Sequence, residues 1–318
     1  MPGPVAPEAR CSVRSAVVGE QLVGSAPTAL GWVALEQNGP WGAKAFTASH
    51  LDPDLGRALE TAATMAGVRP SLIRRPGPHA DHHVTEGHRV LVAHSLPGAS
   101  WLLSGEVADP AELLTLDWRA VAAGDLAAVQ TSLPGLSRSD EAHLLVCTNG
   151  TRDVCCAVTG RPVAAAASAT HPGQVWETTH TSGHRFAPTG VLLPHGTVHG
   201  RLDGASAAAL LDAAAQGETV LSGARGRSTW PAPGQAAELA VRELIGELGL
   251  DALTVSQAGE RWRVRHRDGR SWEVAVSSAE LSTTRPESCG KAALPLRTWS
   301  CTVVPGKPSA STLSSQDA

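Results

Sequence analysis

Apolar and polar positions along this chain fall into short blocks whose period changes from place to place, and the blocks group into three segments and a tail. In the first segment, residues 1–138, the apolar run 30–35 is closed by the turn-forming Gln37-Asn38-Gly39-Pro40 and reads as a strand. A helix is predicted over 52–65 and a strand around Ser71-Leu72-Ile73 after it. Residues 89–94 and 101–104 repeat the strand signal. Asp109 is placed to cap a helix from Pro110 to Leu116, because its carboxylate can accept from the first free N–H groups. Pro134 and Gly135 then break both periods and mark a boundary.

The second segment, residues 139–223, opens with the buried-type strand 143–146, which runs directly into Cys147. A polar loop is expected next, then an Ala-rich helix over 161–169 and a strand over 174–179 that ends at His180. Residues 189–193 and 197–202 flank Pro194-His195-Gly196 as a hairpin, and 205–215 is helical. The order β-α-β-β-α is that of a thioredoxin-like fold. The third segment, 224–304, pairs an amphipathic helix over 235–248 with strand-like stretches at 253–255, 261–265, 272–276 and 299–304. It reads as a small β-rich appendage packed on the second segment. Residues 305–318 are rich in Ser and Pro and are expected to be a disordered tail. No internal repeat is visible in the sequence. The fold class is α/β.

Composition narrows the function. The chain has 318 residues, 42% of them hydrophobic, which is enough for two compact domains. Tyr is absent and only two Phe accompany nine Trp, so Ala, Val and Leu must fill most of the core. A formal charge of -4 offers no basic field for nucleic acid. No stretch approaches the about 18 apolar residues of a membrane span, and the N-terminus lacks the basic and apolar regions of a secretory signal, so a cytoplasmic protein without a membrane partner is expected. Cysteines stand at 11, 147, 155, 156, 289 and 301. In a reducing compartment the three between 147 and 156 suggest metal binding or thiol chemistry rather than disulfides.

Cys147 and Cys156 bracket eight residues, and His180 and His184 bracket Thr181-Ser182-Gly183 after the next strand. Both pairs are expected on loops at the same end of neighbouring strands, where α/β folds place their sites. Thiolates and imidazoles suit both iron and zinc, and either metal needs its ligands to converge within about 2.0 to 2.3 Å. Asn149, Gly150, Ser182 and Gly183 supply backbone freedom and N–H groups there. Each pair alone is ordinary, but together on one β-α-β unit they form a four-ligand set. Residue types leave iron and zinc both open, and a zinc-stabilised binding module is one alternative.

The stretches Leu144-Leu145-Val146-Cys147-Thr148, Arg152-Asp153-Val154-Cys155-Cys156-Ala157, Val175-Trp176-Glu177 and His180-Thr181-Ser182-Gly183-His184-Arg185-Phe186-Ala187-Pro188 resemble the sucrase/ferredoxin-like family. Trp32 with Glu36, Gly39-Pro40-Trp41-Gly42, Arg225-Gly226-Arg227 with Trp230, and Cys289-Gly290-Lys291 extend the resemblance over most of the chain. It implies a thioredoxin-like ferredoxin domain carrying a 2Fe-2S cluster on Cys147, Cys156, His180 and His184, with Cys155 as an alternative ligand. It further implies electron transfer between donor and acceptor proteins that the sequence does not identify. Histidine ligation should place the potential above that of all-cysteine plant-type clusters and make it pH-dependent. The family's name also raises sucrose hydrolysis, which needs two facing carboxylates; Glu36, Asp81, Asp153 and Glu177 show no such pairing in the sequence.

Other features read as structural. His79-Ala80-Asp81-His82-His83, with His88, is expected to be a solvated loop, Arg225-Gly226-Arg227 an exposed basic loop, and Cys289 and Cys301 structural thiols. The sequence contains no nucleophile elbow, P-loop or dinucleotide fingerprint.

Overall fold

Aspartates set most of the helix starts. In the computed structural model, which describes residues 6–77 and 87–306, the carboxylates of Asp52, Asp117, Asp125, Asp153 and Asp203 accept from the first free N–H groups of five helices. In chain order the elements are α1 (Cys11–Val17), β1 (Gly31–Glu36), α2 (Pro53–Ala66), β2 (Val68–Arg74), β3 (His88–His94), β4 (Trp101–Val107), α3 (Trp118–Ala123), α4 (Leu126–Ser132) and β5 (Leu136–Ser139). There follow β6 (His143–Cys147), α5 (Val154–Thr170), β7 (Val175–Thr178), β8 (Gly190–Leu193), β9 (Thr197–His199), α6 (Gly204–Ala215) and β10 (Ala224–Arg227). The chain then forms α7 (Ala232–Ile245), β11 (Leu253–Ala258), β12 (Arg261–His266), β13 (Ser271–Pro286) and β14 (Ala293–Pro305). Large mixed and small antiparallel sheets with helices make this an α/β protein, in line with the sequence.

Ten strands form one sheet in the order β10-β9-β8-β6-β7-β2-β1-β3-β4-β5. β1 and β2 pair parallel, β1 and β3 antiparallel, and β3 and β4 antiparallel. β6 and β7, β6 and β8, and β8 and β9 repeat those three relations in the same sequence. A β-α-β-β-β unit therefore occurs twice, and the two copies meet where β2 pairs antiparallel with β7, Ile73 opposite Thr178 and Arg74 opposite Glu177. The repeat lies in the strand pairings; none is visible in the sequence. Strands buried on both faces need only be apolar, so pairing can repeat while the side chains differ.

Each face of the sheet has its own core. Val33 and Leu35 of β1 pack with Leu59, Val121 and Val129 of the first unit's helices, and Leu144 and Val146 of β6 pack with Val163, Ala164 and Leu210. On the opposite face Trp32, Leu91, Leu145, Trp176 and Val191 from both units share one cluster. The sheet curls enough for the two hairpin turns to meet, and Ser95 Oγ donates to Pro194 O at 2.7 Å.

β11 to β14 form a separate antiparallel sheet against α7, around Trp230, Val241, Leu253, Val264 and Trp272. β13 and β14 run far longer than the short strands expected, as a ribbon that reaches back to the N-terminal segment. Gln21 Oε1 accepts from Thr298 Oγ1 at 2.7 Å, and Glu20 accepts from Arg285 Nε at 2.7 Å. The turn between the two strands carries Cys289. Three other expectations need correction. α5 starts at Val154, not 161, because Asp153 caps it; α3 and α4 were not anticipated; and the segment after Asp109 is a 3-10 turn, Pro110–Leu114. His79 to His83 and the tail from residue 307 lie outside the described residues. Among the described residues no helix is long and apolar enough to cross a membrane.

Candidate metal centre

β6 and β7 are parallel neighbours, with Cys147 opposite Thr178, so Cys147 and the segment that follows β7 emerge at the same edge of the sheet. The first turn of α5 lies against that edge. Its Gly160 is packed so closely on the Cys147 carbonyl that a Cβ there would overlap the oxygen. One turn earlier, Cys156 neighbours Cys147, and both side chains are buried. Interaction with Cys156, aided by the His180 ring and the Thr181 N–H, holds the Cys147 thiol well below its ordinary pKa, while the same interaction and burial push Cys156 up. The sequence placed Cys156 on a loop; it projects from a helix instead.

Ser182 and Gly183 both take left-handed backbone conformations, φ 69° and 70°, which turn the chain back so that the His180 and His184 rings stand 5.2 Å apart, centroid to centroid. Two arginines, Arg69 half-buried and Arg225 buried, hold this loop. Arg69 Nη2 donates to His180 O at 3.0 Å and Ser182 Oγ at 2.9 Å, and Arg225 Nη1 donates to Ser182 O at 3.0 Å. Arg225 and Arg227 belong to β10 and are 1% and 2% exposed, which corrects the reading of an exposed basic loop. Burial lowers the pKa of His184. The Nδ1 atoms of His180 and His184 are buried and accept or donate no hydrogen bond. Cys147, Cys156, His180 and His184 thus stand together.

Successive residues on a helix point about 100° apart, so Cys155 faces a different group. Its Sγ lies 3.6 Å from Cys11 Sγ and 3.4 Å from Cys289 Sγ, and those two sulfurs are 3.7 Å apart. Asp153 places its carboxylate oxygens 3.6 and 3.7 Å from Cys11 Sγ. Ligand atoms of Cys11, Asp153, Cys155 and Cys289 all fall within 4.8 Å of one another, so this set could hold a metal ion. The hydrogen bond from Cys11 lowers the Cys155 thiol to about 6, and burial raises Cys289 to about 12. The sequence reading missed Cys11 and took Cys289 as structural. No local pattern links residues so far apart. Asp153 Oδ2 lies 3.8 Å from His184 Nε2, so the two groups adjoin.

Beside His180 a cleft of about 600 Å³ opens, lined in part by Lys44, Phe46, Arg69, Asn149 and Arg152. The carboxylates weighed for sugar hydrolysis are engaged elsewhere. Glu177 is paired with Arg74 at 2.8 Å and accepts from Thr148 Oγ1, Asp153 caps α5, and Glu36 accepts from Arg89 N. Asp81 lies outside the described residues. His88 is buried, with Nδ1 2.8 Å from Glu36 O, which corrects its assignment to a solvated loop. Cys301 sits on β14 against the core of the small sheet.

Residues 22–226 match the family model described as Sucrase/ferredoxin-like. No curated protein and no solved structure matches the chain. The family match covers more than half of the chain, runs from ahead of β1 into β10, and takes in Cys147, Cys156, His180 and His184: the chain belongs to the sucrase/ferredoxin-like family.

Proposed function

We propose that this protein is a one-electron carrier that holds a 2Fe-2S cluster on Cys147, Cys156, His180 and His184. The reading is carried by one observation: two buried, neighbouring thiols beside two imidazoles whose buried Nδ1 atoms lack partners. A buried ring nitrogen without a partner costs free energy, which a metal bond offsets. Two thiolates and two imidazoles are a donor set that iron-sulfur centres of the Rieske type use. When bound, the cluster supplies reversible one-electron chemistry. The chain's own residues fix its ligands: Gly160 lets α5 approach β6, and Arg69 and Arg225 clamp the histidine loop while contributing positive charge that favours electron gain. Residues 139–223 form the cluster-bearing unit. The cleft beside His180, with exposed Lys44 and Arg152 at its wall, is where an acidic partner protein would approach. Six free cysteines agree with a reducing, cytoplasmic setting.

Anaerobic purification of the full chain tests this. Visible absorption with about two iron and two acid-labile sulfide per chain is expected. Cys156→Ala should abolish the colour, and Cys155→Ala should keep it. A wild-type chain without iron overturns the reading.

A further inference from the structure

We propose that Cys11, Cys155, Cys289 and Asp153 form a second, separate site that binds one tetrahedral zinc ion. Four observations converge on a single small ion. Zinc-sulfur bonds of about 2.3 Å in a tetrahedron put neighbouring sulfurs about 3.8 Å apart and a sulfur and a carboxylate oxygen about 3.5 Å apart. The three sulfur separations here are 3.4, 3.6 and 3.7 Å, and Cys11 Sγ lies 3.6 Å from the nearer Asp153 oxygen. A cluster of several irons would spread its cysteines further, because each would bind a different metal atom. Three soft thiolates with one carboxylate also complete the four-coordinate set of a structural zinc site.

The carboxylate is oriented for this role by neighbours. Asp153 Oδ2 accepts from Ser288 Oγ and Cys289 N, both at 2.8 Å, and Oδ1 accepts from Cys155 N at 3.0 Å. Cys11, Cys155 and Asp153 are buried and Cys289 is half-buried, so the site is closed to solvent on most sides. Binding would displace the remaining thiol protons to solvent and leave a complex of net charge -2, which the positive end of α5 at Cys155 helps to stabilise.

The ligands come from α1, from α5 and from the turn between β13 and β14. Zinc would therefore tie the N-terminal helix and the C-terminal ribbon to the cluster-bearing unit. Those two outlying ligands lie beyond the family match at residues 22–226, whereas Asp153 and Cys155 lie inside it. The proposal does not rest on iron at the neighbouring site.

The test is metal analysis of the full chain, purified anaerobically under reduction, with three substitutions. Wild type is expected to hold about one zinc per chain. Cys11→Ser and Cys289→Ser should each lower zinc by roughly ten-fold or more while iron is retained. Cys147→Ser should do the reverse. Since Cys11→Ser can fail to fold, cobalt exchange into wild type and Cys289→Ser provides a second readout: the intense visible bands of tetrahedral cobalt-thiolate appear in the first and are lost in the second. A zinc-free wild type, a disulfide between any two of the three cysteines in the intact mass, or zinc that follows Cys147→Ser and not Cys289→Ser overturns the proposal. Zinc present with iron absent overturns only the electron-carrier reading.

Discussion

β1 runs into Glu36 and Gln37 where its counterpart β6 runs into Cys147 and Thr148, although the two strands hold the same place in the two β-α-β-β-β units. The correspondence extends to the backbone: Gln37 N donates to Ile73 O at 2.9 Å, and Thr148 N donates to Thr178 O at 3.0 Å. Counting on from Ile73 and Thr178 puts Arg75 where the second unit has His180. Both helices that follow are capped by aspartate, Asp52 in one and Asp153 in the other. In the first unit Arg74 and Arg75 make contacts with the second. The Arg75 guanidinium lies 3.6 Å over the Trp176 ring, and Arg74 pairs with Glu177 across the seam. The architecture supplies an edge where strand ends and a helix start converge, and the loop side chains decide whether that edge holds thiols and imidazoles or an interface.

The largest expected break in this comparison is chemical. Cys147→Ser should remove the iron and the colour, whereas Glu36→Gln at the matching place should leave iron per chain unchanged, as elemental analysis would register. Next is the seam. Glu177→Ala removes the carboxylate opposite buried Arg74 and should cost about 3 to 5 kcal/mol in urea unfolding; Glu106→Ala, which breaks an exposed pair with Arg89, should cost less than about 1 kcal/mol.

Acid sensitivity should fall more heavily on the second unit, although burial also lowers His94 in the first. His143, His195 and His199 all lie in the second, and burial lowers each to about 4. Between pH 6.5 and 4 the unfolded chain binds protons that these imidazoles refuse in the fold, so stability falls as pH falls, by up to about 1.4 kcal/mol per pH unit for each. Denaturation midpoints across that window should slope accordingly, and His143→Gln should flatten the slope. The smallest effect is expected at a cap: Asp52→Ala should cost about 1 kcal/mol in thermal unfolding and leave metal content untouched.

The sequence by itself determined the local elements and half of the chemistry. The apolar run before Cys147, the strand before His180 and the loop Thr181-Ser182-Gly183 are legible because periodicity and turn residues act over a few positions. The ends of adjacent parallel strands necessarily share an edge, which is why those two pairs could be placed together. Tertiary structure alone decided the rest. Which of Cys155 and Cys156 faces Cys147 depends on where Asp153 starts the helix. The repeated unit is a relation between strand pairings, which apolar strands of different sequence can share. Cys11 meets Cys289 across 278 positions, a contact made by the docking of α1 and the ribbon, through Glu20 with Arg185 and Arg285, and not by any local pattern. Arg225 and Arg227 look solvated in the sequence because charge usually is; they are buried because Ser25, Ser182, Ser95 and Leu250 offer acceptors that only the folded chain brings within reach.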